Sequence, residues 1–251
     1  MVMKNKDKFN FSDFTHSHYR ELLKLSKKKY VNKLYTNFDK NENYVIWRHD
    51  IDISIDAALD TAKIEFEEGI KTTYFIHPHN EFYNLLEKET SRKVNEIISM
   101  GHEVGLHFDS HYYNIKNEED LCVKLDFEKS FLEKLFNIKI SVFSFHNTNE
   151  FVMSCDKWQY AGMINTYAKY FKEEVEYCSD SWGRWRFKRM DDVLNENHPR
   201  LHLLTHSEWW TEKIMSPIEK VKMYAKERMD FMIDYHVNHY QKYNIKIIDW
   251  E

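Results

Sequence analysis

Residues 101–111 read GHEVGLHFDSH, and this stretch decides the fold. It opens on a glycine that closes a helical pattern and continues as a short apolar strand over residues 102–108. It ends on two histidines four positions apart, His107 and His111. A glycine after a helix, then a strand, then polar residues is the signature of a strand-helix-strand unit in a parallel sheet.

The same order repeats on both sides of that stretch. YVIWRHDID (44–52) reads as a strand and DAALDTAKIEFEEG (56–69) as a helix capped by Gly69. IKTTYFIHP (70–78) is a second strand, followed by the helical pattern NLLEKETSRKVNEIISMG (84–101). After residues 102–108 come a helix over 117–136 and strands at IKISVFSFH (138–146), EVEYCSD (174–180) and RLHLLTH (200–206). Ser216-Pro217-Ile218-Glu219 combines an N-cap serine, a proline at the first helical position and a glutamate three residues on, so a long helix starts there. IKIID (245–249) offers a closing strand. About seven strands alternating with helices predict an α/β fold, a distorted or incomplete (β/α) barrel. No glycine-rich phosphate loop is present to suggest an open nucleotide-binding sheet.

The organisation predicted is a helical leader over residues 1–43, packed on one catalytic domain over 44–251, a normal length for a single α/β barrel. With 36 basic against 41 acidic residues and a net charge of -5, the chain shows no basic stripe, which argues against nucleic acid as a partner. The first 20 residues lack the apolar core of a signal peptide and no stretch reaches the ~20 apolar residues of a membrane span, so the expectation is a cytoplasmic protein. Three cysteines without a C-x-x-C pair read as buried thiols. Nothing in the sequence sets the oligomeric state.

Chemistry in such barrels gathers at the C-terminal ends of the strands. Polar residues stand at those ends here: Asp50 and Asp52, His77 and His79, His107 and His111, His146, Asp180, and His206. A carboxylate with two neutral imidazoles suits a catalytic divalent ion. His107 and His111 can meet one ion if residues 107–111 form a single helical turn. Asp50 and Asp52, two apart on an extended segment, point to one side, and either can serve as base or ligand. His77 and His79 are secondary pocket candidates, whereas His49 and His102 read as structural.

These residues carry a resemblance. RHDID (48–52), GHEVGLHFDSH (101–111), TTYFI (72–76), LLTH (203–206) and, more weakly, YCSDSWGRW (177–185) resemble motifs of the polysaccharide deacetylase superfamily, the NodB-homology or carbohydrate esterase family 4 proteins. The likeness is to an atypical branch with an R-H-D-x-D first motif and spans about residues 44–210. It differs from the common pattern in the spaced Asp50-Ile51-Asp52, in Phe108 where Ser or Thr is usual, and in SFHNT (144–148) where an arginine motif is usual.

What the resemblance implies is metal-assisted amide hydrolysis. Asp52, His107 and His111 would hold a divalent ion, zinc first, with cobalt, nickel or manganese as alternatives. Asp50 would act as base and His206 as acid, and a backbone N–H near Asn147 would steady the oxyanion. Arg48 would pair with Asp180 and fix the acidic motif. His146 would contact substrate, and Trp182 and Trp209 would wall the site. The implied substrate is an N-acetylated or N-formylated amino sugar, as an activated or lipid-linked small molecule in surface-glycan assembly. The alternatives are an amidase acting on a small amide or cyclic ureide, and a non-catalytic glycan-binding barrel.

Overall fold

A computed structural model describes residues 4–248. The helices are α1 (Asn5–Lys8), α2 (His16–Lys27), α3 (Ile55–Glu67), α4 (Lys88–Ser99), α5 (Glu118–Phe136), α6 (Glu150–Ser154), α7 (Lys169–Glu173), α8 (Met190–Asn195) and α9 (Pro217–Lys242). The strands are β1 (Val31–Lys33), β2 (Tyr44–Ile51), β3 (Thr73–Ile76), β4 (Glu103–Asp109), β5 (Val142–His146), β6 (Gln159–Tyr160), β7 (Met163–Asn165), β8 (Glu176–Ser179) and β9 (Arg200–Thr205).

They form one sheet in the order β6-β7-β5-β4-β3-β2-β9-β8, with β1 paired to the start of β2. Every pairing is parallel except the short β6–β7 ribbon. The sheet curls without a closing pair between β6 and β8 among the described residues, which makes it the expected distorted, incomplete (β/α) barrel. Among the described residues nine strands replace the predicted seven or so, because β1 and the β6–β7 ribbon are too short to show a pattern in the sequence. The closing strand expected at 245–249 does not form: residues 245–248 carry no strand, and 249 lies outside the described residues.

Local signals behave as physical chemistry requires. Gly69 and Gly101 end α3 and α4 at φ 69° and 87°, conformations a side chain resists. Ser216 and Glu219 close a reciprocal capping box on α9 behind Pro217. Asn117 caps α5 through its side chain, which accepts from the Asp120 N–H.

Alternation along the strands splits the core in two. Residues such as Trp47, Leu201 and Leu203 face outward and pack with Tyr19, Leu22 and Leu23 of α2, while Leu106, Phe108, Phe143 and Phe145 pack with α4 and α5. Tyr44, Ile46, Phe75 and Val142 face inward and fill the lower barrel with Tyr35 and Phe171. Phe108 is fully buried on the outward face, so its ring belongs to the helix-covered layer while His107 beside it turns inward. Gly105 is demanded by the inward layer, since a Cβ there would lie 2.5 Å from the Phe75 ring.

Candidate metal centre

The inward positions that continue past the filled layer are polar: Arg48 and Asp50 on β2, His107 on β4, Ser144 and His146 on β5. Asp52 and His77 follow on the residues just past β2 and β3. The period of two that buries Tyr44 and Ile46 inside the barrel therefore delivers these side chains to one point at its rim.

Three ligand atoms converge there. Asp52 Oδ1 lies 3.1 Å from His107 Nε2 and 3.2 Å from His146 Nδ1, and the two imidazole nitrogens are 3.1 Å apart. Ligands bonded at 2.0–2.1 Å to a tetrahedral ion sit roughly 3.3 Å from one another. This nearly equilateral triangle therefore fits a small divalent cation. Asp52 Oδ1 is also buried without a hydrogen-bond partner, as expected of a group facing an ion. Burial would push the Asp52 carboxyl up, but His107, His146 and His206 hold it well below the usual range. For His146, burial opposes protonation and Asp52 outweighs it, so its pKa is raised.

The expected third ligand, His111, is not part of this group. β4 continues to Asp109, so residues 107–111 are not the single helical turn that would bring His111 back over His107. His111 is exposed, and its Nε2 donates to the Asn147 carbonyl at 2.8 Å. His146, expected to touch substrate, takes the third corner. The Asn147 side-chain amide lies 2.8 Å from His146 Nε2 and can steady the ring.

Asp50 sits deeper, at 3% exposure. Its Oδ2 accepts from Arg48 Nη2 at 2.8 Å and from Ser144 Oγ at 3.3 Å, and lies 3.9 Å from His107 Nε2. Its Oδ1 is buried and unpartnered. Arg48 thus pairs with Asp50, not with Asp180 as expected, and it also donates to Thr166 Oγ1 at 2.8 Å. The reason is alternation again: Arg48 and Asp50 are two apart on one face of β2.

Asp180, fully buried, is occupied with His206. It accepts from the His206 backbone N–H at 2.8 Å, from His206 Nδ1 at 2.6 Å and from Trp210 Nε1 at 3.0 Å. Burial disfavours the His206 imidazolium, but Asp180, then Asp52 and Glu208, outweigh it and raise the pKa to about 10. The other ring nitrogen, Nε2, lies 3.8 Å from Asp52 Oδ2, so the imidazolium faces the triangle.

A cavity of about 310 Å³ opens on the triangle, lined by Asp52, His77, His79, Asn80, Tyr112 and His146, among others. Trp182 and Trp209 do not line it. Trp182 is exposed, and Trp209 packs in the core against Gly183. The aromatic surface comes instead from Tyr112, stacked on His79 with ring centroids 3.7 Å apart. His79 is fixed in turn by Glu128 at 3.0 Å and the Tyr113 hydroxyl at 2.8 Å. Sequence reading passed over Tyr112, Asn80 and Ser144, and only the Tyr112-Tyr113 pair directly after His111 marked that loop. His49 and His102 are structural, buried behind the sheet around Glu65.

The chain is similar to carbohydrate esterase family 4 deacetylases of known structure. A family 4 carbohydrate esterase from Bacillus anthracis aligns at 16% identity over 84% of this chain and 86% of its own, with a TM-score of 0.44. A chitin deacetylase from Colletotrichum lindemuthianum aligns at 15% over 79% and 86%, TM-score 0.42. A pseudoenzyme of the same family from Bacillus anthracis aligns at 15% over 76% and 62%, TM-score 0.41. No protein-family model and no curated protein matches the sequence. The activities of those neighbours are their own, and the chemistry open to this chain follows from its own side chains.

Proposed function

We propose that this protein is a divalent-metal-dependent hydrolase that removes an N-acetyl or N-formyl group from an amino sugar. The observation that carries the proposal is the triangle of Asp52, His107 and His146, flanked by the unpartnered Asp50 Oδ1 and by the His206–Asp180 pair. A bound ion would polarise the acyl oxygen and acidify water.

The chain's own groups supply the proton chemistry. Asp50 Oδ1 takes a proton from the attacking water, while Arg48 and Ser144 hold its other oxygen in place. The water oxygen bonds to the acyl carbon, the carbonyl electron pair moves onto oxygen, and its return breaks the C–N bond. His206, protonated and oriented by Asp180, gives its Nε2 proton to the departing amine, which is otherwise a poor leaving group. Asp52 serves as ligand and Asp50 as base, a division supported by the two short imidazole contacts to Asp52 Oδ1.

A sugar fits the flat Tyr112–His79 surface beside the triangle, because an aromatic face packs against the C–H face of a pyranose. The substrate proposed is a small activated or lipid-linked amino sugar of surface-glycan assembly. The test is release of free amine from a panel of N-acetyl and N-formyl amino sugars, free, nucleotide-linked and lipid-linked, by protein stripped of metal and reloaded with zinc, cobalt, nickel or manganese. Chelator-sensitive release supports the proposal, and its loss in Asp50→Asn with metal retained supports the assigned base. Silence across the panel with metal bound overturns it. Turnover of cyclic ureides instead would reassign the protein as a small-amide hydrolase.

A further inference from the structure

His77 lies at the end of β3, 6% exposed, with Nε2 buried and unpartnered. Its ring lines the same cavity as Asp52 and His146, 4.7 Å from the His146 ring and 6.0 Å from the His107 ring, between centroids. It is not one of the three converging ligands.

The protonation pattern of this ring follows from its neighbour Asn80. Asn80 Oδ1 accepts from the backbone N–H groups of Phe82 at 2.7 Å and Tyr83 at 3.2 Å, which fixes which end of the amide is oxygen. Its Nδ2 donates to the Asp52 carbonyl at 2.9 Å and faces His77 Nδ1 at 3.5 Å. An amide N–H directed at Nδ1 requires a lone pair there, so the ring is neutral and its proton is on Nε2. The unpartnered Nε2 is consequently a donor.

We infer that His77 is a catalytic residue whose Nε2–H donates a hydrogen bond to the acyl oxygen of the substrate as negative charge develops on it. The inference rests on the hydrolase reading above and adds a second electrophilic group that the sequence motifs do not contain. As water attacks and its proton passes to Asp50, the carbonyl pair moves onto oxygen, and that oxygen accepts from Nε2–H. His77 transfers no proton. When the C–N bond breaks, the pair returns and the amine leaves with the His206 proton. Asn80 is the positioning residue, tying the ring to the backbone of Asp52. A fixed N–H donor adds transition-state stabilisation without reorganisation.

The experiment has three readouts on the zinc-loaded full chain. Nitrogen-15 NMR of the histidine rings at neutral pH should show His77 as the neutral Nε2–H form; the Nδ1–H form or the imidazolium overturns the inference even if the enzyme is active. Acetate, which carries the acyl oxygens of the product, should bind wild type and His77→Gln, whose amide N–H reaches the Nε2 position, at least tenfold more tightly than His77→Ala. Turnover of the best N-acylated sugar should fall about 10²–10³-fold in kcat for His77→Ala with KM within about threefold, and recover at least tenfold in His77→Gln. Equal acetate affinity or unchanged kcat in His77→Ala overturns the inference, as does loss of zinc, which would make His77 a ligand. If wild type turns over no substrate while NMR and acetate binding come out as expected, the hydrolase reading fails and the donor assignment stands.

Discussion

Asp180 Oδ1 lies 2.6 Å from His206 Nδ1, and the same carboxylate accepts from the His206 backbone and from Trp210. The imidazole is thereby oriented and held in its charged form up to a pKa of about 10. The proposed acid must be protonated to act, so activity should fall as pH rises through that pKa. Asp180→Asn removes the charge that holds the proton, and the alkaline limb of the kcat profile should move down in pH toward the ordinary histidine range near 6.5. A limb that stays in place would assign the proton donor to another group.

Metal content distinguishes the ligand set proposed from the triangle from the set the motifs imply. His107→Ala and His146→Ala each remove a corner of the triangle and should weaken zinc binding by more than about 100-fold, beyond the usual loss of a supporting hydrogen bond. His111→Ala should keep stoichiometric metal, because His111 Nε2 is engaged with the Asn147 carbonyl. Elemental analysis of the three variants after gel filtration reads the result, and loss of metal from His111→Ala would restore the ligand set the motifs imply.

Glu65 is a fully buried carboxylate behind the sheet that accepts from Tyr19 at 2.5 Å, Tyr74 at 2.6 Å and Thr72 at 2.7 Å, and pairs with His49 at 2.7 Å. Burial raises its pKa, yet His49, His102 and the Tyr19 hydroxyl bring it down from 4.5 to about 2. A carboxyl whose pKa is depressed by folding stabilises fully above its unfolded value and loses that contribution as pH falls through the folded one. Stability worth about 3 kcal/mol should therefore disappear between pH 4.5 and pH 2. Urea unfolding at pH 5 and pH 3 should show rather more than half of this loss, and Glu65→Gln should flatten the difference.

Gly105 stands where a methyl group would meet the Phe75 ring at 2.5 Å. Gly105→Ala should destabilise the barrel by about 1–3 kcal/mol through overpacking. Adding Phe75→Leu to the variant should recover part of that loss in thermal melts. A neutral Gly105→Ala would mean that the Phe75 ring can move aside freely.

Much of the fold was legible because it rests on local, periodic signals. The glycines after α3 and α4, the capping box of α9 and the short apolar runs of β2, β4 and β9 lie within a few residues of the structure they specify. The short strands β1, β6 and β7 were not legible, since two or three residues carry no period and form only where a neighbouring edge supplies hydrogen bonds. IKIID fails as a strand through residue 248 for the converse reason: an apolar run becomes a strand only beside a partner.

For the site, sequence alone determined that acids and imidazoles would crowd the strand ends, because residue type and strand period are local properties. Tertiary structure decided which of them meet. His107 and His146 are 39 residues apart and come together because β4 pairs with β5 in the register Asp109↔His146. His111, only four residues from His107, is carried away because the strand does not end until Asp109. Arg48 chooses Asp50 over Asp180 because both members of the pair lie on one face of β2. GLHFDSH thus contributes one corner of the candidate triangle rather than two, and the other histidine comes from the neighbouring strand. Spacing along a chain sets what a helix or strand could bring together, whereas strand register sets what the folded sheet does bring together.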